Sequence, residues 1–211
     1  VSPEPHAPHV TADDVARRRA AAPKLKVPPA APPTGLRRLR DRLSEQIFNL
    51  VLTHVPSHTV RQGFLRACGA TIGERSAIMR GTEVYGIAYL TIGDETAIGW
   101  RCVLDARGGL CIGDNVTVAS DVHFLGTRRD IDRPGLRHVP VPTVVGDYAW
   151  IASRAMVLPA HIKRGAVVAG QATVMRDIEE CEVVGGDPLK VIGQRDPEAL
   201  AYTAGYRPLF S

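Results

Sequence analysis

Residues 122–140, VHFLGTRRDIDRPGLRHVP, hold two His, two Asp, four Arg and two Pro within nineteen positions. An imidazole exchanges its proton near neutral pH, which makes His123 and His138 candidate general bases, worth ~10²–10⁴-fold in rate where one is positioned. Asp105, Asp130 and Asp132 could orient either ring as the second member of a dyad or bind hydroxyls. Arg129 stays protonated at any relevant pH, so it can stabilise an oxyanion or hold an anion but cannot take a proton. The plainer reading of each is a solvated loop charge. Which of these residues acts depends on the elements that carry them.

The chain has 211 residues, 45% of them hydrophobic and only 5% aromatic, which suits small, closely stacked layers better than a wide core. A net charge of +4 favours anionic small ligands and is too small to argue for nucleic acid. Cys68, Cys102, Cys111 and Cys181 form no CxxC pair and read as reduced cytosolic thiols. No apolar run approaches the ~18 residues of a membrane span, and the first residues do not read as a signal peptide. Residues 1–33 are rich in Pro, Ala and Arg and predict a flexible arm that buries little, or one that clasps a neighbouring subunit. Leu36, Leu39, Leu43, Ile47, Leu50 and Val51 recur at helical spacing within a segment spanning 34–67. Their apolar side is expected to pack on the rest of the protein, with Arg37, Arg38, Arg40 and Arg42 solvated. The alternative is adhesion of this basic helix to an anionic membrane surface. Ser57 is placed to cap a second short helix.

From residue 68 to 185 the period becomes six. Ile72, Ile78 and Val84 form one triplet; Ile92, Ile98, Leu104 and Ile112, Val118, Phe124 form the next two. Val145, Ile151, Val157 and Ile162, Val168, Val174 complete the series. A small residue such as Ser76, Thr96, Ala149 or Ala166 stands two places before most of these, and a glycine often follows. Period six is neither strand nor helix. It predicts flat faces joined by tight corners, each triplet one coil of an all-β solenoid. Triplets start 20, 20, 33 and 17 residues apart, so the third interval expels a loop at about 126–141.

The repeat, with IGDNVTVASDVHF, VGDYAWIASRAMVLP and VVGGDPLKVIGQR, resembles the hexapeptide-repeat acyltransferases over roughly residues 60–195. That resemblance implies a left-handed parallel β-helix, a homotrimer, and acyl-CoA as co-substrate in the groove between subunits, with no bound cofactor or metal. It implies transfer of an acyl group, acetyl or longer and possibly octanoyl, to a hydroxyl of a sugar or glycoside. The attack would be direct, without an acyl-enzyme. Arg129 occupies the family's catalytic His position, which leaves His123 and His138 as replacement bases. Trp150, Ala152, Ser153, Ala169 and Gly170 match positions along the thioester and pantetheine arm; Lys190, with Arg176 and Arg195 nearby, matches the CoA phosphate contact. The segment 186–211 would close the solenoid, with Asp187 and Leu189 departing from the usual Gly-Asn-Pro-Ala. Two other readings stay open: a non-catalytic binding or scaffold member that lost its base, and a zinc hydratase, whose closely spaced histidine pair the coils lack.

Overall fold

The computed structural model describes residues 34–129 and 138–206, together with residues 16, 20, 22 and 24–29 of the arm. The period-six pattern becomes a parallel three-sided solenoid. Thr71–Ile72, Leu90–Ile92, Leu110–Ile112, Thr143–Val145 and His161–Ile162 stack as the first face. Ala77–Ile78, Ala97–Ile98, Thr117–Val118, Trp150–Ile151, Val167–Val168 and Glu182–Gly185 form the second, with Lys190–Gln194 added antiparallel. Glu83–Tyr85, Val103–Asp105, His123–Phe124, Met156–Val157 and Thr173–Val174 form the third. The register follows the predicted triplets, with Ile72 over Ile92, Ile92 over Ile112, Ile112 over Val145 and Val145 over Ile162. All fifteen predicted aliphatic positions are buried, each worth about 1.5–3 kcal/mol of apolar transfer.

Coils are joined by backbone bonds running along the solenoid axis, such as Ala77 N–H to Thr96 O at 2.9 Å and Thr117 N–H to Ala149 O at 3.0 Å. The small interior residues add hydroxyl donors: Ser76 Oγ reaches Gly93 O at 2.6 Å and Thr96 Oγ1 reaches Gly113 O at 2.8 Å. At one corner an aspartate ladder repeats the device outside. Asp94, Asp114 and Asp147 carboxylates accept from Glu74, Asp94 and Asp114 N–H at 2.6, 2.7 and 2.8 Å. Two corners also place a non-glycine residue at positive φ in coil after coil: Arg75, Glu95, Asn115 and Tyr148 at one, Arg101, Asp121, Arg154 and Gln171 at the other. The tight corner demands this conformation, and the ladder overrides its local cost.

A solenoid's first coil has no coil before it, so its backbone groups need other partners. Helices α1 (Gly35–Leu50) and α2 (His58–Ala67) supply them. Asn49 donates to Val84 O at 3.1 Å and accepts from Val84 N–H at 2.9 Å, imitating a strand. Glu45 accepts from Gly86 N–H at 2.7 Å, Thr53 Oγ1 donates to Thr82 O at 2.7 Å, and Gln62 donates to Ser76 O at 2.7 Å. Buried Arg61 donates to Ile78 O at 2.7 Å and Arg66 to Ile72 O at 3.0 Å. Ser57 caps α2 as predicted, accepting from Val60 N–H.

The expected packing of α1 is reversed. Its inward side carries Phe48 and the polar capping residues, while Leu36, Leu39, Leu43, Ile47 and Leu50 are exposed. The reason is the edge itself: a side facing unpaired backbone must be polar. The arm also departs from expectation where it is described. Ala22 and Leu25 are buried against Cys111 and Val144 on the outside of the first face, and Lys26 Nζ donates to Gly69 O at 2.8 Å. At the far end the tail runs back along a corner. Tyr202 stacks edge-on against Tyr148 at 5.5 Å, and Ala204 N–H donates to Asn115 Oδ1 at 3.2 Å.

Asn49→Ala strips both partners from Val84 and is expected to lower the unfolding free energy by about 1–3 kcal/mol in a urea titration. Arg38→Ala, on the exposed side of the same helix, should change it by no more than about 0.5 kcal/mol.

Candidate active site

The loop leaves the solenoid where the repeat arithmetic placed it. Thr127–Arg129 and His138–Pro140 pair antiparallel as its root, with Arg129 directly opposite His138. Arg129 and His138, nine residues apart in sequence, are thus brought face to face by a hairpin that period six does not encode. Asp130 and Asp132 lie outside the described residues, as do the side chains of Arg129 and His138.

His123 takes a different position. It is exposed on the third face, level with Val103 and Met156 on the neighbouring coils. It opens into a cleft of about 490 Å³ lined by Arg101, Asp121, Arg154, Ala155 and Met156. Arg101 grips Asp121 through two bonds of 2.9 and 3.0 Å and holds its carboxyl below the usual carboxylate range. Arg154 and His123 add smaller contributions in the same direction. The cleft therefore joins one imidazole, one ionised carboxylate and two guanidiniums, a set able to take a proton and to stabilise an anion. Sequence reasoning missed Arg101, Asp121 and Arg154. Their signal was the coil pitch, since steps of 20 and 33 residues stack these three on one corner.

Asp105 is not available to orient His123. It is buried, and its carboxylate accepts from Arg107 Nε at 2.8 Å, Arg107 Nη2 at 2.7 Å and Arg107 N–H at 3.0 Å. Arg107 in turn lies over the Tyr85 ring at 5.6 Å.

The same corner continues toward the C-terminal end as a column of small residues. Ala152, Ala169 and Gly185 follow one another, with Ser153 and Gly170 beside them. A Cβ at Gly170 would come within 3.2 Å of Ser153 O, and one at Gly185 within 3.0 Å of the Ala169 Cβ, so the coils close tightly there. Trp150 is half-exposed on the second face, and Lys190 is exposed on the closing strand. Two of the predicted phosphate contacts have other partners. Arg176 pairs with Glu182 at 2.9 and 3.1 Å, and Arg195 donates to Tyr148 O at 3.0 Å and to Tyr202 Oη at 3.2 Å. Their charges were legible in the sequence, whereas the competing partners come from contacts across the closing segment.

No protein-family model matches the chain. In sequence it is 33% identical over 121 residues to a putative acetyltransferase of Saccharomyces cerevisiae, covering 55% of this chain and 61% of that one. A chloramphenicol acetyltransferase of Escherichia coli is 44% identical over 57 residues, 26% of this chain and 27% of its own. The chain thus spans about a quarter to three fifths of these curated relatives. In structure it is similar to a galactoside acetyltransferase in complex with coenzyme A, with TM-score 0.69, 22% identity, and 93% and 98% of the two chains covered. A hexapeptide-repeat acetyltransferase of Vibrio cholerae complexed with acetyl-CoA gives 0.65 at 23% identity, covering 76% and 87%. The chain has the left-handed β-helix fold of the hexapeptide-repeat acetyltransferases.

Two of the thiols, Cys102 next to Arg101 and Cys111 on the first face, are buried. Burial pushes Cys102 up to about 12 and Cys111 up to about 11. A disulfide reagent at pH 8 is expected to modify half-buried Cys68 first and to reach Cys102 and Cys111 only on unfolding, as followed by peptide mapping.

Proposed function

We propose that the protein is a CoA-dependent O-acyltransferase that moves an acyl group, acetyl or longer, to a hydroxyl of a sugar or glycoside. The observation that carries this reading is the corner of small residues at Ala152, Ala169 and Gly185, which leads along the solenoid into the cleft holding His123. A row of small side chains leaves room for an extended pantetheine arm to lie along the corner, and an imidazole at its end suits hydroxyl activation. Two fold relatives are described in complex with coenzyme A or acetyl-CoA.

In this mechanism His123 takes the proton of the acceptor hydroxyl as its oxygen attacks the thioester carbonyl. The tetrahedral oxyanion faces Arg154, with Arg129 as the second cation offered by the loop. Collapse expels the CoA thiolate, which recovers the proton from the imidazolium. No acyl-enzyme forms. Lys190 meets the nucleotide phosphates, since Arg176 and Arg195 are engaged elsewhere. A homotrimer would cover the exposed Trp150, Met156, Met175, Val191 and Ile192. The reading is of a cytoplasmic protein with free thiols.

Calorimetric titration with CoA, acetyl-CoA and octanoyl-CoA is expected to give micromolar binding with a preference for one thioester. His123→Ala should leave that binding intact and lower turnover by about 10²-fold or more. If His138→Ala carries the loss instead, the base is the residue opposite Arg129. Thioester binding without turnover in the unaltered protein would favour the non-catalytic reading, for which the replacement of the family's His by Arg129 speaks.

A further inference from the structure

α1 carries two faces with different tasks. The inward face completes the solenoid edge through Glu45, Asn49 and Phe48. The outward face is apolar: Leu36 is 86% exposed, Leu39 55%, Leu43 52%, Ile47 48% and Leu50 70%. Together with Phe64 of α2 and Cys68 just beyond its end, most of this stripe lines an open trough of about 940 Å³. The capping of the first coil uses none of these leucines, and an exposed apolar stripe of this kind marks an interaction surface.

The charges beside the stripe select the occupant. At 3.6 residues per turn the five aliphatic side chains span about 80–100° of the helix circumference. Arg37 and Arg40 border one side, Arg38 and Arg42 the other, and all four are exposed. Asp41, half-buried, offsets Arg40 through a bond of 3.0 Å, while Glu45 is turned inward to Gly86, so the four arginines outnumber the acidic charge beside the stripe. Two copies meeting stripe to stripe would set arginine rows against each other. An anionic bilayer supplies an apolar layer and negative headgroups on both sides at once, while arginine stems lie along the boundary.

We infer that α1 docks the protein onto the surface of an anionic phospholipid bilayer, with the Leu36–Leu50 stripe in the headgroup–acyl boundary. The contact lies on the surface, since no described helix is long and apolar enough to cross a membrane. It is independent of the catalytic reading, because it uses none of the same residues.

The test is co-sedimentation of the full chain with vesicles of phosphatidylglycerol and phosphatidylcholine, against phosphatidylcholine alone. Binding to the mixed vesicles is expected to be at least about 10-fold stronger and to weaken in high salt. The L39E/L43E variant should lose about 10-fold or more while keeping its circular dichroism and its urea midpoint, because neither side chain caps the solenoid. Absence of binding to anionic vesicles, or equal binding by the variant, overturns the inference. If vesicles are not bound and the variant instead lowers the assembly size in sedimentation velocity, the stripe is a contact between copies and the inference also fails.

Discussion

Everything in this protein depends on one constraint: backbone N–H and C=O groups at the edge of each coil must find partners along the solenoid axis. Within the stack the next coil provides them, and every coil does so with the same register. Stability is therefore approximately a sum of neighbour interfaces, in which buried aliphatics, interior hydroxyls and the aspartate ladder repeat. The constraint becomes acute at the two ends. At the start it is met by the side chains of α1 and α2, at the finish by the antiparallel strand Lys190–Gln194.

That requirement explains features that look unrelated. Arg61 is fully buried because it serves carbonyl groups of the first coil and its approach. The polar side of α1 turns inward for the same reason, which leaves its leucines outside. The corners tolerate arginine, glutamate and tyrosine at positive φ because the ladder fixes both neighbours. One of those corner columns then becomes functional material. Where Arg101, Asp121 and Arg154 stack, their side chains project from successive coils into one cleft beside His123.

The loop illustrates the opposite principle. It interrupts the ladder, so its root needs pairing of its own, and the hairpin of Thr127–Arg129 with His138–Pro140 provides it. Gly126 and Gly108 allow this root to lie close against the coil: a Cβ at either would meet backbone oxygen at 2.1 Å. A solenoid can thus hold an irregular segment at a fixed height, where repeat geometry has already gathered charged corner residues.

The sequence by itself determined the solenoid, its fifteen interior positions and the interval that expels the loop, because a six-residue period leaves only one way to bury small and aliphatic residues together. It also determined that Arg129 cannot serve as a base, since a guanidinium keeps its proton. Only the tertiary structure decided which charges are available. Asp105 is taken by Arg107, Arg176 by Glu182 and Arg195 by the tail, partners that local pattern does not specify. It likewise decided the orientation of α1. Amphipathicity states that a helix has two faces, and the unpaired edge of the first coil dictates which of them turns inward.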